Sequence, residues 1–200
     1  MGSSLTNSLS AERSSFRPWY KSFAAPAAAL DTVYLVRHAE KATFWPVDHG
    51  LDAFQPLSPA GVARAEALAA RLKAAGVAAV YSSRTTRTIE TGAPLAQAAG
   101  VSLVVDDAST KPDEMAAFLA HLREKHSADR AVLIVGHSNT LPELLLRLGA
   151  QPDCFQRLGI TGHPGSLLIE GYEGLWKVDL KKQGCEAIER ETLQVPGPQK

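Results

Sequence analysis

Three stretches of the chain carry side chains that could do chemistry. Arg37-His38 ends the apolar run from Val33 to Val36, Ser83-Arg84-Thr85-Thr86-Arg87 follows the run from Val77 to Tyr81, and Gly136-His137-Ser138-Asn139-Thr140 follows the run from Ala131 to Val135. Each is a short β-prone segment that hands over directly to imidazole, guanidinium or hydroxyl groups. Taken singly, such residues are ordinary: a strand end can simply reach solvent, and Ser and Thr are common helix caps. Together, two arginines, two histidines and a helix amino end with free N–H groups make an anion site. The chain has no G-x-x-x-x-G-K-[ST] phosphate loop and no Asp/Glu set suited to Mg²⁺. The expected chemistry is therefore metal-free phosphoryl transfer without a cofactor.

These side chains can meet only if the elements carrying them are parallel neighbours. Strand-like runs at 33–36, 77–81, 101–105 and 131–135 alternate with helical stretches, which predicts a three-layer α/β/α sandwich with a mostly parallel central sheet. Ligands in such sheets bind beyond the carboxyl ends of the strands, where the three polar stretches fall. Ser58-Pro59 starts a helix with Val62, Ala65, Ala69 and Leu72 on its inner face and a stop at Gly76; a second helix ends at Gly100. Pro112 opens a third, with Met115, Phe118, Leu119 and Leu122 buried, and a Leu-rich helix starts at Leu141. Residues 42–57 have no periodicity and read as a loop forming one wall of the site. Alternation at Trp176, Val178 and Leu180 predicts an antiparallel edge strand, hairpinned to Leu167–Ile169 across Gly171 and Gly174.

Composition narrows the class of partner. Lys plus Arg and Asp plus Glu are equal at 21 each, so no global field draws in nucleic acid or an anionic membrane, and any anion affinity must be local. No apolar run approaches the roughly 20 residues that span a bilayer. One domain is expected over residues 31–195, as a soluble monomer, preceded by a Ser- and Ala-rich arm at 1–30 whose Phe16, Trp19, Tyr20 and Phe23 could dock on it. The opening Met-Gly-x-x-x-Thr fits a loose myristoylation pattern and carries no weight. The histidines and cysteines lack metal-ligand spacing, so no metal site is expected. A secretory signal is not evident before Asp31, which favours the cytoplasm; an exported mature form, with Cys154 and Cys185 paired, stays open.

The ordered motifs resemble the histidine phosphatase superfamily, also called phosphoglycerate mutase-like, and its small bacterial phosphatases in particular. Leu35-Val36-Arg37-His38-Ala39-Glu40 is similar to the family's Arg-His-Gly signature, with Ala39 in the Gly position. Ser83, Arg87 and Thr91 match its Ser-x-x-x-Arg-x-x-x-Thr signature, and Val135-Gly136-His137 matches its second histidine. The resemblance, which spans roughly Asp31 to Leu180, implies a phosphohistidine intermediate on His38. Arg37, Arg87 and His137 would bind the phosphoryl group. The implied substrates are a phosphorylated small molecule or a phosphohistidine protein.

The proton donor is the least determined position. Glu114 is the nearest match to the Glu found in many relatives; Asp106, Asp107, Asp113 and Glu40 compete with it, and a phosphohistidine substrate could dispense with a donor. Two other readings stand beside the phosphatase. One is a phosphate-binding or interaction module of the same fold that has lost turnover. The other is a serine α/β-hydrolase using Ser138 with Asp153 and His163, in which Thr140 fills a position that normally needs Gly.

Overall fold

The computed structural model describes residues 30–46 and 48–195. The elements run β1 (Thr32–Arg37), a 3-10 turn (Asp48–Phe54), α1 (Pro59–Leu72), β2 (Val77–Ser82), α2 (Thr86–Ala99), β3 (Ser102–Val105) and α3 (Met115–Lys125). They continue through β4 (Ala131–Gly136), α4 (Leu141–Arg147), α5 (Phe155–Leu158), β5 (Ile160–His163), β6 (Ser166–Ile169), β7 (Gly174–Asp179) and β8 (Ile188–Thr192). Among the described residues six strands form the main sheet in the order β3-β2-β4-β1-β7-β8, parallel from β3 to β1 and antiparallel at β7 and β8.

The period of two along each strand sorts the core into two layers. Val33 and Leu35 of β1, with Val132 and Ile134 of β4, face α3, α4 and α5. Tyr34 and Val36, with Leu133 and Val135, face α1 and α2. Both faces are covered, so β4 is buried along its whole length and the three-layer architecture follows.

Helix starts follow their expected chemistry. Ser58 accepts a hydrogen bond from the Gly61 amide with Pro59 at the first helical position, and Gly100, at φ +67°, closes α2. The inner stripe of α1 differs from the expected one: Gly61, Ala65, Leu68, Ala69 and Leu72 are buried, while Val62 is largely exposed. A Cβ on Gly61 would run into the Glu40 carbonyl, so the smallest residue faces inward and lets α1 approach the segment after β1, and Val62 is turned out.

The carboxyl-terminal region needs a second correction. β7 is not an edge strand: it lies between β1 and β8, and its hairpin partner is β8, whereas 166–169 pairs with 160–163 in a separate two-stranded sheet. Leu175, Trp176 and Val178 are all fully buried, because β7 has neighbours on both sides and core on both faces. Cys154 and Cys185 are joined in a disulfide that ties the turn before α5 to the turn before β8. Leu30, placed by the sequence at the end of the arm, packs into the core. The other expectations for residues 1–29 fall outside the described residues.

Candidate active site

The parallel order β2-β4-β1 brings the three polar stretches together. Arg37 pairs with Gly136 in the β1–β4 register and Ser82 with Val135 in the β2–β4 register, so Arg37-His38, His137 and Ser83 leave adjacent strands at one level. The His38 amide donates to the Gly136 carbonyl at 2.9 Å, extending the ladder by one residue. The resulting cleft has a volume of about 580 Å³, within the usual size of a small-ligand site. Five cationic side chains, Arg37, Lys41, Arg84, Arg87 and Lys111, line it against the carboxylates Asp52 and Asp107. A chain without net charge thus concentrates positive charge where an anion would bind.

His38 is on the floor, only 4% exposed. Its Nδ1 lies 2.8 Å from its neighbour's carbonyl, Ala39 O, and must donate to it, which fixes the neutral tautomer with Nε2 as the lone-pair nitrogen. Burial pushes its pKa down to about 3, and the charges of His137, Arg87 and Arg37 add to this, outweighing the raising effect of the Ala39 carbonyl. The His137 ring centroid is 5.4 Å away. Its pKa is lowered to about 4, again by burial first and then by Arg87, so both imidazoles are neutral at pH 7.

The spacing of Ser83, Arg87 and Thr91 has a visible cause. Ser83 Oγ lies 2.9 Å from His137 Nε2, Arg87 turns into the cleft, and Thr91, one helical turn on, accepts the Ala39 amide at 2.9 Å while donating to the Arg87 carbonyl at 2.6 Å. The turn into α2, through Ser83, and the helix itself, through Thr91, therefore brace the two histidine segments. Gly136 keeps this turn close-packed as well, since a Cβ there would stand 2.9 Å from Leu141 Cδ2 and 3.2 Å from Thr140 Oγ1. Thr140 Oγ1 accepts the His137 amide and shapes the turn into α4. The departure at Ala39 is accommodated because its methyl group packs, fully buried, with Leu57 and Ala65.

Both arginines are gripped by the protein itself. Arg37 Nη1 donates to the Gly171 carbonyl at 2.9 Å and to Ile169 at 3.4 Å, and the Tyr172 ring stacks 4.2 Å from its guanidinium carbon. Arg87 donates through Nη1 to the Asp52 carbonyl at 2.7 Å and through Nη2 to the Asp52 carboxylate at 3.0 Å. The Nε of each arginine is buried without a partner among the described residues, so hydrogen-bonding capacity is left over at both.

A model of the histidine phosphatase superfamily (branch 1) matches residues 33–109, a stretch that contains Arg37-His38 and the Ser83 to Thr91 segment. Solved structures extend the likeness over the rest of the fold. A chain assigned as the phosphohistidine phosphatase SixA of Agrobacterium tumefaciens is 25% identical, with a TM-score of 0.59 over 84% of this chain and 99% of that one. The family model and this structure make the chain similar to the histidine phosphatase superfamily.

Its fold is shared with a protein histidine phosphatase SixA complexed with tungstate, at 17% identity and TM-score 0.58, covering 80% of this chain and 96% of that one. It is also shared with a mycobacterial glucosyl-3-phosphoglycerate phosphatase, at 15% identity and TM-score 0.56, covering 83% and 99%. None of the curated proteins matches the chain. The matched family model and these structural neighbours support a phosphatase hydrolase.

Of the residues singled out in the sequence, Arg37, His38, Arg87 and His137 all line the cleft. Glu114 does not: it is exposed and paired with Lys111 at 2.9 Å, a surface contact ahead of α3. Glu40 is clamped by Arg64 through three contacts of 2.6 to 3.0 Å; burial works against its ionisation, but these bonds outweigh it and hold the carboxyl below its usual range. Asp106 caps the turn at Asp107–Thr110, and Asp113 is exposed away from the cleft wall. Asp107 does line the cleft, yet it accepts from the Arg84 amide and pairs with the Arg84 side chain, which depresses its pKa against the effect of burial. The hydrolase alternative is not assembled: Ser138 borders the cleft, but His163 sits exposed at the β5–β6 turn beside the Pro164 carbonyl, and Asp153 is next to Cys185. Asp52 and Tyr172 are the contributors the sequence did not reveal. One lies in an aperiodic loop, and the other is 134 residues beyond His38, with no motif to mark either.

Proposed function

We propose that the protein hydrolyses a phosphomonoester or phosphoramidate without a metal, through a phosphohistidine formed on His38. The observation that carries this reading is the state of the His38 ring: its Nδ1 is committed to the Ala39 carbonyl, burial and neighbouring positive charge keep it neutral, and Nε2 is the nitrogen left for bond formation. In the first step Nε2 attacks phosphorus, a P–N bond forms, and the bond to the leaving oxygen or nitrogen breaks. Water then attacks phosphorus, the P–N bond breaks, and phosphate leaves with the ring again neutral. Arg37 and Arg87 neutralise the charge on the equatorial oxygens, a role that divalent ions fill in other phosphoryl-transfer enzymes. His137 joins them as a neutral donor: with the Ser83 hydroxyl donating to Nε2, its Nδ1–H remains for a phosphoryl oxygen.

The likeness to SixA chains supports a phosphohistidine protein as one substrate, and the mycobacterial phosphatase shows that the same fold also serves a phosphorylated small molecule. Rapid quench after exposure to a ³²P-labelled substrate tests the mechanism. Label that is acid-labile and base-stable, on the peptide bearing His38, is the expected result. Label on Ser138, or turnover that disappears in EDTA and returns with a divalent ion, would overturn it.

A further inference from the structure

With Glu114 outside the cleft and Glu40 locked to Arg64, the leaving group has no donor among the residues the sequence nominated, apart from the Arg84-bound Asp107. The 3-10 turn Asp48–Phe54 supplies another carboxylate. Asp52 lines the cleft with its side chain half exposed, at 50%, whereas His38 on the floor is 4% exposed. Arg87 connects the two levels: it is buried, and both of its terminal nitrogens are held by residue 52. A phosphoryl group bonded to His38 Nε2 and gripped by Arg87 has its far side, the leaving-group side of an in-line displacement, toward the mouth of the cleft where Asp52 stands.

We propose that Asp52 is the proton donor of this phosphatase and that the substrate itself arms it. This rests on the phosphatase reading above. In the free enzyme Asp52 is ion-paired with Arg87 at 3.0 Å and with Lys41 at 3.8 Å. An incoming phosphoryl dianion takes Arg87 as its own partner, so the carboxylate loses its nearer cation and gains a double negative charge beside it. Both changes favour uptake of a proton from solvent. Asp52 gives that proton to the leaving oxygen as the P–O bond breaks and the P–Nε2 bond forms. The resulting carboxylate accepts a proton from the water that then attacks phosphorus, which returns Asp52 to the protonated state until phosphate departs and the pair with Arg87 re-forms. Asp107 is less suited to this cycle, because its partner Arg84 holds it through both backbone and side chain and is itself 74% exposed, at the rim rather than in the cradle.

The test is a leaving-group comparison. Asp52→Asn should lower kcat/KM for an alkyl phosphate about 100-fold or more, the usual weight of a general acid, and for p-nitrophenyl phosphate less than about tenfold, since that phenolate departs nearly unaided. Asp52→Glu should restore part of the alkyl rate. Retained p-nitrophenyl phosphate turnover also shows that the variant is folded. An equal loss on both substrates would mean that Asp52 acts only by positioning Arg87, and no loss on either would mean that it does nothing in the reaction; each result overturns the proposal. Absence of wild-type turnover on both substrates would instead count against the phosphatase mechanism.

Discussion

His38 and His137 close the ends of two adjacent parallel strands, in register, after nearly identical apolar runs, yet the protein prepares them for different work. His38 is sealed on the cleft floor, its Nδ1 bound to the carbonyl of the next residue, its amide fastened to Gly136 and the next amide, that of Ala39, to Thr91. His137 is partly exposed, and its Nε2 meets a hydroxyl, Ser83, that can rotate to give or accept a proton. A rigid carbonyl fixes one tautomer; a hydroxyl leaves both accessible. The contrast shows that a strand-then-histidine pattern specifies where a ring stands, and that the partner of its second nitrogen decides what the ring can do. A nucleophile needs a permanent lone pair directed at phosphorus, whereas a ligand to phosphoryl oxygens needs only a donor.

The strongest way to break this distinction is to delete each ring. His38→Ala should reduce kcat at least about 10⁴-fold and abolish the acid-labile label, because the proposed intermediate forms on the His38 ring. His137→Ala should cost about 10² to 10³-fold in kcat while the label on His38 still forms, the usual consequence of losing one donor to the transition state. Equal losses with no label in either variant would mean that the two rings act as one unit and that the asymmetry has no chemical meaning.

Titration separates the rings more finely. Both are pushed below the ordinary histidine value of 6.5, so their NMR signals should stay in the neutral position from pH 8 to pH 5. They should then move near 4 for His137 and near 3 for His38. The sign for stability follows: below pH 6.5 the unfolded chain takes up protons that these folded rings refuse, so their environment costs stability as the pH falls toward 4 and costs none above 6.5. A midpoint near 6.5 for either ring would show that burial and the arginines do not control it.

The same contrast explains how much of the molecule could be read from sequence. Period-two strands and strand-end polar residues are local signals, and they put Arg37, His38, Arg87 and His137 at or just beyond strand ends that the parallel order brings to one cleft. The clamp on Arg37 was not legible, since Gly171 and Tyr172 reach it across more than 130 residues through a hairpin that sequence pairing assigned to the wrong partner. β8 was missed for a related reason: Ile188-Glu189-Arg190-Glu191-Thr192 has a single buried residue, and its strand character comes from pairing with β7. Asp52 escaped because a 3-10 turn has no apolar period, and nothing local shows that its carboxylate meets Arg87, 35 residues on.

The smallest expected effect concerns the residue after His38, where the family signature has Gly and this chain has Ala39. If His38 is fixed by backbone bonds alone, Ala39→Gly should leave kcat and KM within about twofold, because the Ala39 carbonyl that holds Nδ1 and the amide that reaches Thr91 both survive the change. Stability should nevertheless fall by about 1 to 2 kcal/mol in urea unfolding, from the loss of a fully buried methyl group against Leu57 and Ala65 together with the greater backbone entropy of glycine in the unfolded chain. A large fall in kcat with unchanged stability would reverse that reading. The methyl would then be steering the ring, and the rigidity assigned to the His38 backbone, which sets it apart from His137, would lie in side-chain packing instead.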